Sequence, residues 1–372
     1  MLCMILVSCT GQKTGKENDN NDKIAIEVGE IKFPPQDVLQ LKSYYLSSSV
    51  HVDSIDYLIG YNYRLHSLDC MNLKSKSVTQ IVLPGDGPDA IVRLSGIYAQ
   101  SLDSVWISDE SERAFLIDSV GTINRMIDLK KYLEDQEQLL INTNYAMFTS
   151  HLFYNASRHS LMFLVKHTPS NTFIVKEVFI DEVGKMATYQ LSSSKVVPDM
   201  SKGYAYINFP NVNFVGENIV YNYPVESSIY MLDIRTNERK YILADSHYTS
   251  NIIEKCTTSG DYATLEKHWL ENSHFYDIMY LPKYKIYARL HADKVDFDEK
   301  KGMEKLINER DLYLMLFDEN MEKIGETKLS NCRYSPFTSW NATYGGIALF
   351  VDNVLDEKNN TDDLTIDIIS LK

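Results

Sequence analysis

The chain lacks the patterns that usually announce chemistry. Its five cysteines, Cys3, Cys9, Cys70, Cys256 and Cys332, form no C-x-x-C pair and no zinc-finger spacing. Two of them fall in the first nine residues, so an odd three remain in the body. That excludes a disulfide framework and leaves buried free thiols as the expectation. The nine histidines do not cluster with aspartates at metal-ligand spacing. No nucleophile elbow, P-loop or dinucleotide-binding glycine pattern occurs in a strand–helix setting. No metal and no cofactor are therefore expected. No apolar run reaches the roughly 20 residues of a membrane span. Cations are also in deficit. With 37 Lys and Arg against 51 Asp and Glu, the net charge is −14. Such a field repels phosphate backbones, and no basic stripe offsets it, so nucleic acid is excluded as a partner.

What the chain does have is ordinary globular composition, with 44% hydrophobic and 24% charged residues over 372 positions. Aromatics stand out, at 25 Tyr and 14 Phe. Tyrosine suits half-buried strand positions, which leans the reading toward β structure.

The N-terminus reads as an address. Residues 1–9 are MLCMILVSC, a short apolar stretch followed by Leu6-Val7-Ser8-Cys9. A small residue before a cysteine, after an apolar run, resembles a bacterial lipobox, in which that cysteine is acylated. The expected division is a lipoprotein signal peptide over residues 1–8, lipidation at Cys9, and a disordered polar tether over 9–24. One feature departs from the pattern: no basic segment precedes the apolar stretch, so the true start could lie upstream of Met1.

One frame recurs through residues 25–372. It has an alternating apolar strand, a polar loop, a second strand often ending in Asp, a turn and a last strand. The clearest copy is Ser104-Val105-Trp106-Ile107-Ser108-Asp109, then Ala114-Phe115-Leu116-Ile117-Asp118, then the turn Ser119-Val120-Gly121. Copies begin at 55, 105, 161, 219, 286 and 347, and a further apolar strand lies between them, as at 146–154, 204–214 and 275–281. Four short strands and their loops fill each unit. The fold predicted is an all-β six-bladed propeller, since radial packing protects the edges of such sheets. Residues 23–33 are expected to close the ring against the last blade. Residues 128–140 are the best helix candidate, and 255–270 and 298–309 read as charged loops with a helical turn at most. The wide gap before the fifth copy leaves a seventh, degenerate blade open within 244–285.

The blade text SVWISDESERAFLIDSVGTINRMIDL looks like blades of six-bladed propellers of the NHL and TolB-like kind, as does the preceding Leu83-Pro84-Gly85-Asp86-Gly87-Pro88. With the lipobox, the chain from about residue 25 onward resembles the propeller lipoproteins of gut Bacteroidetes grouped as domain-of-unknown-function family 4221. The resemblance implies a fold and an exported lipoprotein. It supplies no catalytic residues to carry over.

Propeller geometry places ligands at the loops between second and third strands and at the loops entering the inner strands. The frame puts Asn62, Asp109, His167, Asn222, Tyr223, Arg289, His291 and Asp352 at the first set. Phe148, Asn208, Phe209, Phe337 and Trp340 fall at the second. Aromatics beside amides and carboxylates suit a sugar or peptide. The leading expectation is a lipid-anchored cell-envelope propeller, on either side of the outer membrane, that binds a carbohydrate, a peptide or a protein partner without chemistry. Two rivals stand beside it. One is a glycoside hydrolase or lyase using Asp109, Glu110 and Asp352 as paired acids. The other is a scaffold that docks an outer-membrane complex through its blade edges. The Asx-rich run 352–363 reads as a solvated hairpin rather than a calcium loop. Asp53-Ser54, Asp103-Ser104 and Asp118-Ser119 match a short O-glycosylation pattern, which a plain turn before a strand matches equally well.

Overall fold

Six antiparallel sheets form a ring, and the protein is a six-bladed β-propeller in this computed structural model. The residues described are 25–35, 39, 41–140, 149–196, 209–256, 261–336, 338–356, 358 and 362–372. The predicted signal peptide, Cys9 and the tether lie outside them, as do Phe148, Asn208 and Phe337.

The copy starts read from the sequence mark the second strand of each blade. Those strands are Ile55–Asn62, Ser104–Asp109, Ser160–His167, Asn218–Asn222, Ile286–Ala292 and Ile347–Phe350. Buried on both faces, they carry the continuous apolar character that made the frame visible. The inner strands are Ser47–Val52, Leu94–Ser101, Phe153–Asn155, Asn211–Val215, His274–Leu281 and Trp340–Ala342. They touch in order around the ring, blade 6 against blade 1 included, and a parallel bridge joins Ser150 to Val212 between blades 3 and 4.

The ring closes as expected. Ile26–Phe33 is the outer strand of blade 6, paired antiparallel with Leu364–Leu371 in unbroken register from Ile26↔Leu371 to Phe33↔Leu364. Arg333 staples this joint, with Nε 2.5 Å from Asp367 Oδ2 and Nη2 2.9 Å from Glu30 Oε2. Tyr334 donates its hydroxyl to the same Asp367 carboxylate at 2.8 Å. Close packing decides some residue choices outright. A Cβ on Gly60 would stand 2.5 Å from the Tyr44 ring, so only glycine fits there.

Two expectations are corrected. Residues 128–140 are not a helix. They hold a short 3₁₀ turn, Leu129–Tyr132, and a strand, Glu137–Leu139, which pairs with Val165–His167 and fills the open edge of blade 3. Residues 244–285 hold no extra blade: among those described lies one helix, Tyr262–Leu270, on the connection into blade 5. A second helix, Met303–Asn308, caps the loop after Ile286–Ala292. Arg310 pins both insertions, reaching the carbonyls of Asp293 at 2.7 Å and Asn272 at 2.6 Å. Trp269 of the first helix donates to His274 Nδ1 at 3.3 Å, and His274 is fully buried. Cys70 and Cys256 are buried free thiols, as expected, and Cys332 is a half-buried one.

These buried polar groups can be tested in two ways. Replacing Asp367 by Ala takes the buried acceptor from the Tyr334 hydroxyl and leaves Arg333 only Glu30 and Asp356, so unfolding free energy in urea should fall by about 3 kcal/mol. Glu30→Ala, on the exposed side of the same cation, should cost less than about 1 kcal/mol; equal costs would refute the staple. The second test concerns pH. Burial, helped by the Arg310 charge, holds the His274 imidazole well below its usual range. The unfolded chain takes a proton on this residue below about pH 6.5 while the folded protein resists it. The stabilising contribution is thus full above that pH and is lost as pH falls, at up to about 1.4 kcal/mol per pH unit. His274→Phe should flatten the acid-side slope of stability between about pH 6.5 and 5 by that share. An unchanged slope would be contrary to this assignment.

Candidate functional site

The six inner strands surround a central cavity of about 340 Å³. Its two ends differ. Residues at the loop end of the inner strands, among them Ser47, Gly96, Thr149, Asn211, Phe275 and Trp340, are buried. Residues toward the strand ends, among them Val50, Tyr98, Val215, Tyr280 and Ala342, are half-exposed, and Gly216 and Pro282 in the following turns are exposed. Among the described residues, the channel wall is therefore buried where loops enter the ring and exposed where inner strands turn into second strands.

Three blades send polar side chains into its middle. Asp277, on the inner strand of blade 5, is only 1% exposed. Its Oδ2 lies 2.9 Å from Nε2 of His151 on blade 3, and its Oδ1 accepts the indole N–H of Trp340 on blade 6 at 3.1 Å. The local backbone explains the aim of this carboxylate. Pairing runs Phe275↔His291 and then Ile278↔Arg289, so the strand carries one extra residue between them. Such a bulge bends a strand and redirects a side chain. Asn211 and Asn213 of blade 4 hold its flanks, donating to the carbonyls of Phe275 and Ile278 at 2.8 and 2.9 Å. The rest of the wall is divided. Tyr98, Phe153 and Phe214 form a continuous aromatic surface across blades 2 to 4, with Phe153 and Phe214 stacked at 4.9 Å. Opposite them, Asn341, Ser47, Ser48 and Ser49 make a polar surface.

Of the residues selected from sequence, Trp340 lines this channel. The other described ones lie on the second strands or at the loop end, and most are engaged internally. Asn62 accepts the N–H groups of Arg64 and Leu65 and donates to Asp69, so it shapes its own turn. Asp109 does the same with Ser111 and Arg113, and its other oxygen pairs with Arg113 at 3.1 Å. Asn222 donates to Phe275, and Tyr223 donates to the Ser192 carbonyl. Arg289 is wholly buried between Phe275 and Phe317, bonded to the carbonyls of Ser227 and Ala244. Burial pulls its guanidinium down to about 9. His291 bonds Glu326 at 2.8 Å between the rings of Phe275 and Tyr313. Burial works against the Glu326 carboxylate, yet the bonds from His291, Ser246 and the His247 backbone bring it down to about 2. His167 and Phe209 are half-exposed, and Asp352 is half-exposed as a residue with its carboxyl turned inward. His167 bonds Ser170, Asp352 accepts from the Ser335 N–H, and Phe209 packs against Phe173. Burial pushes the Asp352 carboxyl up to about 6.

Sequence reasoning missed His151 and Asp277. A signal for the second was present: Asp277 interrupts the apolar run His274–Leu281, where a carboxylate needs a partner. Among the described residues, no group of three or more His, Cys, Asp or Glu is placed to hold a metal ion.

The whole architecture is shared with solved structures. A Bacteroides vulgatus protein of the DUF4221 family superposes with a TM-score of 0.76 at 14% identity, over 95% of this chain and 99% of that one. A Bacteroides fragilis protein described as exported superposes with a TM-score of 0.57 at 13% identity, over 94% and 97%. No curated protein matches the chain. Residues 17–328 match the family profile of DUF4221, a domain of unknown function, and the chain belongs to that family.

Proposed function

We propose that this chain is an exported, lipid-anchored propeller that binds a small ligand in its central channel without chemistry. The observation that carries the reading is the channel itself, its described wall buried toward one end and exposed at the other, and lined by an aromatic side facing a polar one. Its volume sits at the lower end of the range for small-molecule sites. Export is supported by the B. fragilis neighbour and by the apolar run before Cys9. No helix of the described residues is long and apolar enough to cross a membrane. Strand direction supports a consistent placement. Ile26 lies opposite Leu371, at the turn end of blade 6, so the chain leaves the ring on the face where the channel opens. Sixteen residues from Cys9 to Ile24 would reach roughly 50 Å when extended, enough to leave that face accessible above a membrane.

Binding is favoured over hydrolysis by paired acids. A general acid or base must be available to its substrate. Asp109 is buried and committed to Arg113, the buried Asp352 carboxyl accepts the Ser335 N–H, and Glu110, at the surface, pairs with Arg93 at 3.6 Å.

Two experiments test this reading. Mass spectrometry of membrane fractions should find the protein acylated at Cys9, and Cys9→Ala should release it unacylated; a soluble, unacylated native protein would refute the anchor. For the channel, a panel of saccharides and short peptides can be screened by thermal shift. Ala342→Phe adds bulk at the half-exposed end of the channel wall, beside the apolar contact between blades 5 and 6. Every ligand that stabilises the native protein should lose its effect in this variant, provided the variant melts cooperatively. Stabilisation that survives the substitution would move the site elsewhere.

A further inference from the structure

Resting on that channel reading, we infer that the ligand is an uncharged saccharide, and that His151 is the residue that accepts a hydrogen bond from its hydroxyls. The charge inventory of the channel comes first. Among the described residues no Lys or Arg lines it, and the one carboxylate is Asp277. A ligand entering a channel whose wall is buried toward one end gives up most of its water. An anion would do so without a counter-charge and facing a carboxylate in a medium of low effective dielectric, where repulsion is felt over several ångströms. A cation would be drawn to Asp277 but would find it already occupied. Each carboxylate oxygen already accepts one bond, from His151 Nε2 and Trp340 Nε1, and the group is only 1% exposed to an entering cation. The channel thus offers neither charge sign a partner.

The same contacts fix what it does offer. An indole N–H can only donate, and an ionised carboxylate can only accept. His151 must therefore present an N–H to Asp277 from Nε2. In the neutral ring, Nδ1 then carries the lone pair. The His151 side chain is 25% exposed, and its Nδ1 takes no hydrogen bond among the described residues. Asp277 and Trp340 thus act as positioning residues that hold an acceptor at the channel wall. Acceptors of this kind call for hydroxyl or amide N–H donors.

The division of the wall selects between those two. Tyr98, Phe153 and Phe214 supply flat apolar surface from three adjacent blades. The serines of blade 1 and Asn341 of blade 6 line the other side. A sugar ring matches this arrangement: its C–H face packs on aromatic rings while its hydroxyls lie at the edge, toward donors and acceptors. A peptide would bring a backbone whose own N–H and C=O groups need partners along its whole length. The inner strands are edge strands, and of the backbone groups they turn away from the second strands, the carbonyls of Phe275, Ile278 and Ala342 and the N–H of Ala99 are already bonded to side chains of neighbouring blades.

The test is isothermal calorimetry on the full chain with neutral hexoses and their disaccharides, set against the uronic acids and amino sugars of the same stereochemistry. The expected result is binding of at least one neutral sugar, with its uronic acid and amino sugar each weaker by tenfold or more. His151→Phe should reduce the neutral-sugar affinity tenfold or more, while His151→Gln, which keeps an amide donor for Asp277 and an acceptor oxygen, should retain much of it. Melting temperatures of both variants establish that the fold persists, and Ala342→Phe serves as an independent block of the channel. Equal or tighter binding of the charged sugars would overturn the inference, as would full affinity in His151→Phe. If no sugar binds while a peptide does, and Ala342→Phe abolishes that binding, the saccharide class is wrong and the channel reading stands. If ligands bind regardless of Ala342→Phe, the channel reading itself fails.

Discussion

Everything in this molecule depends on one joint. The first strand of the propeller and the last are neighbours in the same sheet, Ile26–Phe33 against Leu364–Leu371. Without that pairing blade 6 would keep three strands and an open edge, a ready template for pairing with another chain. Closing a ring from the two ends of a long chain carries an entropic cost, which one zipper of strand hydrogen bonds and one cation must offset. Arg333 is placed to do this, since it holds Glu30 of the first strand and Asp367 of the last. The channel is a consequence of closure. Its walls come from all six blades, and Trp340 of blade 6 reaches Asp277 only because blades 5 and 6 are held side by side.

A second device recurs inside the blades and employs four of the 25 tyrosines. Buried carboxylates accept tyrosine hydroxyls, at 2.6 Å for Tyr44 to Asp69, 2.7 Å for Tyr189 to Glu177, 2.9 Å for Tyr230 to Glu226 and 2.8 Å for Tyr334 to Asp367. A buried charge is tolerable when its lone pairs are filled, and phenol fills them while its ring adds apolar contact. Burial and the adjacent carboxylate push the Tyr44, Tyr189 and Tyr334 hydroxyls upward, so these donors stay protonated. Tyr44 and Tyr334 stand at equivalent places, each on the connection into a blade and each tied to that blade's third strand. Polar residues at the loop end are thereby consumed in holding blades together.

This explains which parts of the structure were legible in the sequence. Strand alternation survives in one dimension, so the second strands, the turns after them and the closing strand could all be located, most to within a residue or two. Helix Tyr262–Leu270 and the strand Glu137–Leu139 were misread because tertiary docking, by Arg310 and by the edge of blade 3, decides them. The site was harder. Loop position identified which residues lie near an end of the ring, but burial decides whether they face solvent. Asn62 and Asp109 look like exposed loop residues in sequence and are turn-forming groups with no exposure. His151 and Asp277 are separated by 126 positions, and the bulge that aims Asp277 leaves no trace in local composition. Only the ring brings them together.

The central claim is that the open channel, and not the loop end of the ring, is where this protein meets its ligand. Its three tryptophans divide the molecule usefully. Trp340 lines the channel, Trp269 belongs to the helical insertion at the loop end, and Trp106 lies in blade 2 against Tyr154 of blade 3. The most direct measurement is a fluorine NMR titration of the protein labelled with 5-fluorotryptophan, using a pool of neutral disaccharides. The account predicts that the Trp340 resonance moves saturably while those of Trp269 and Trp106 hold still. Movement of Trp269 with Trp340 unchanged would contradict it.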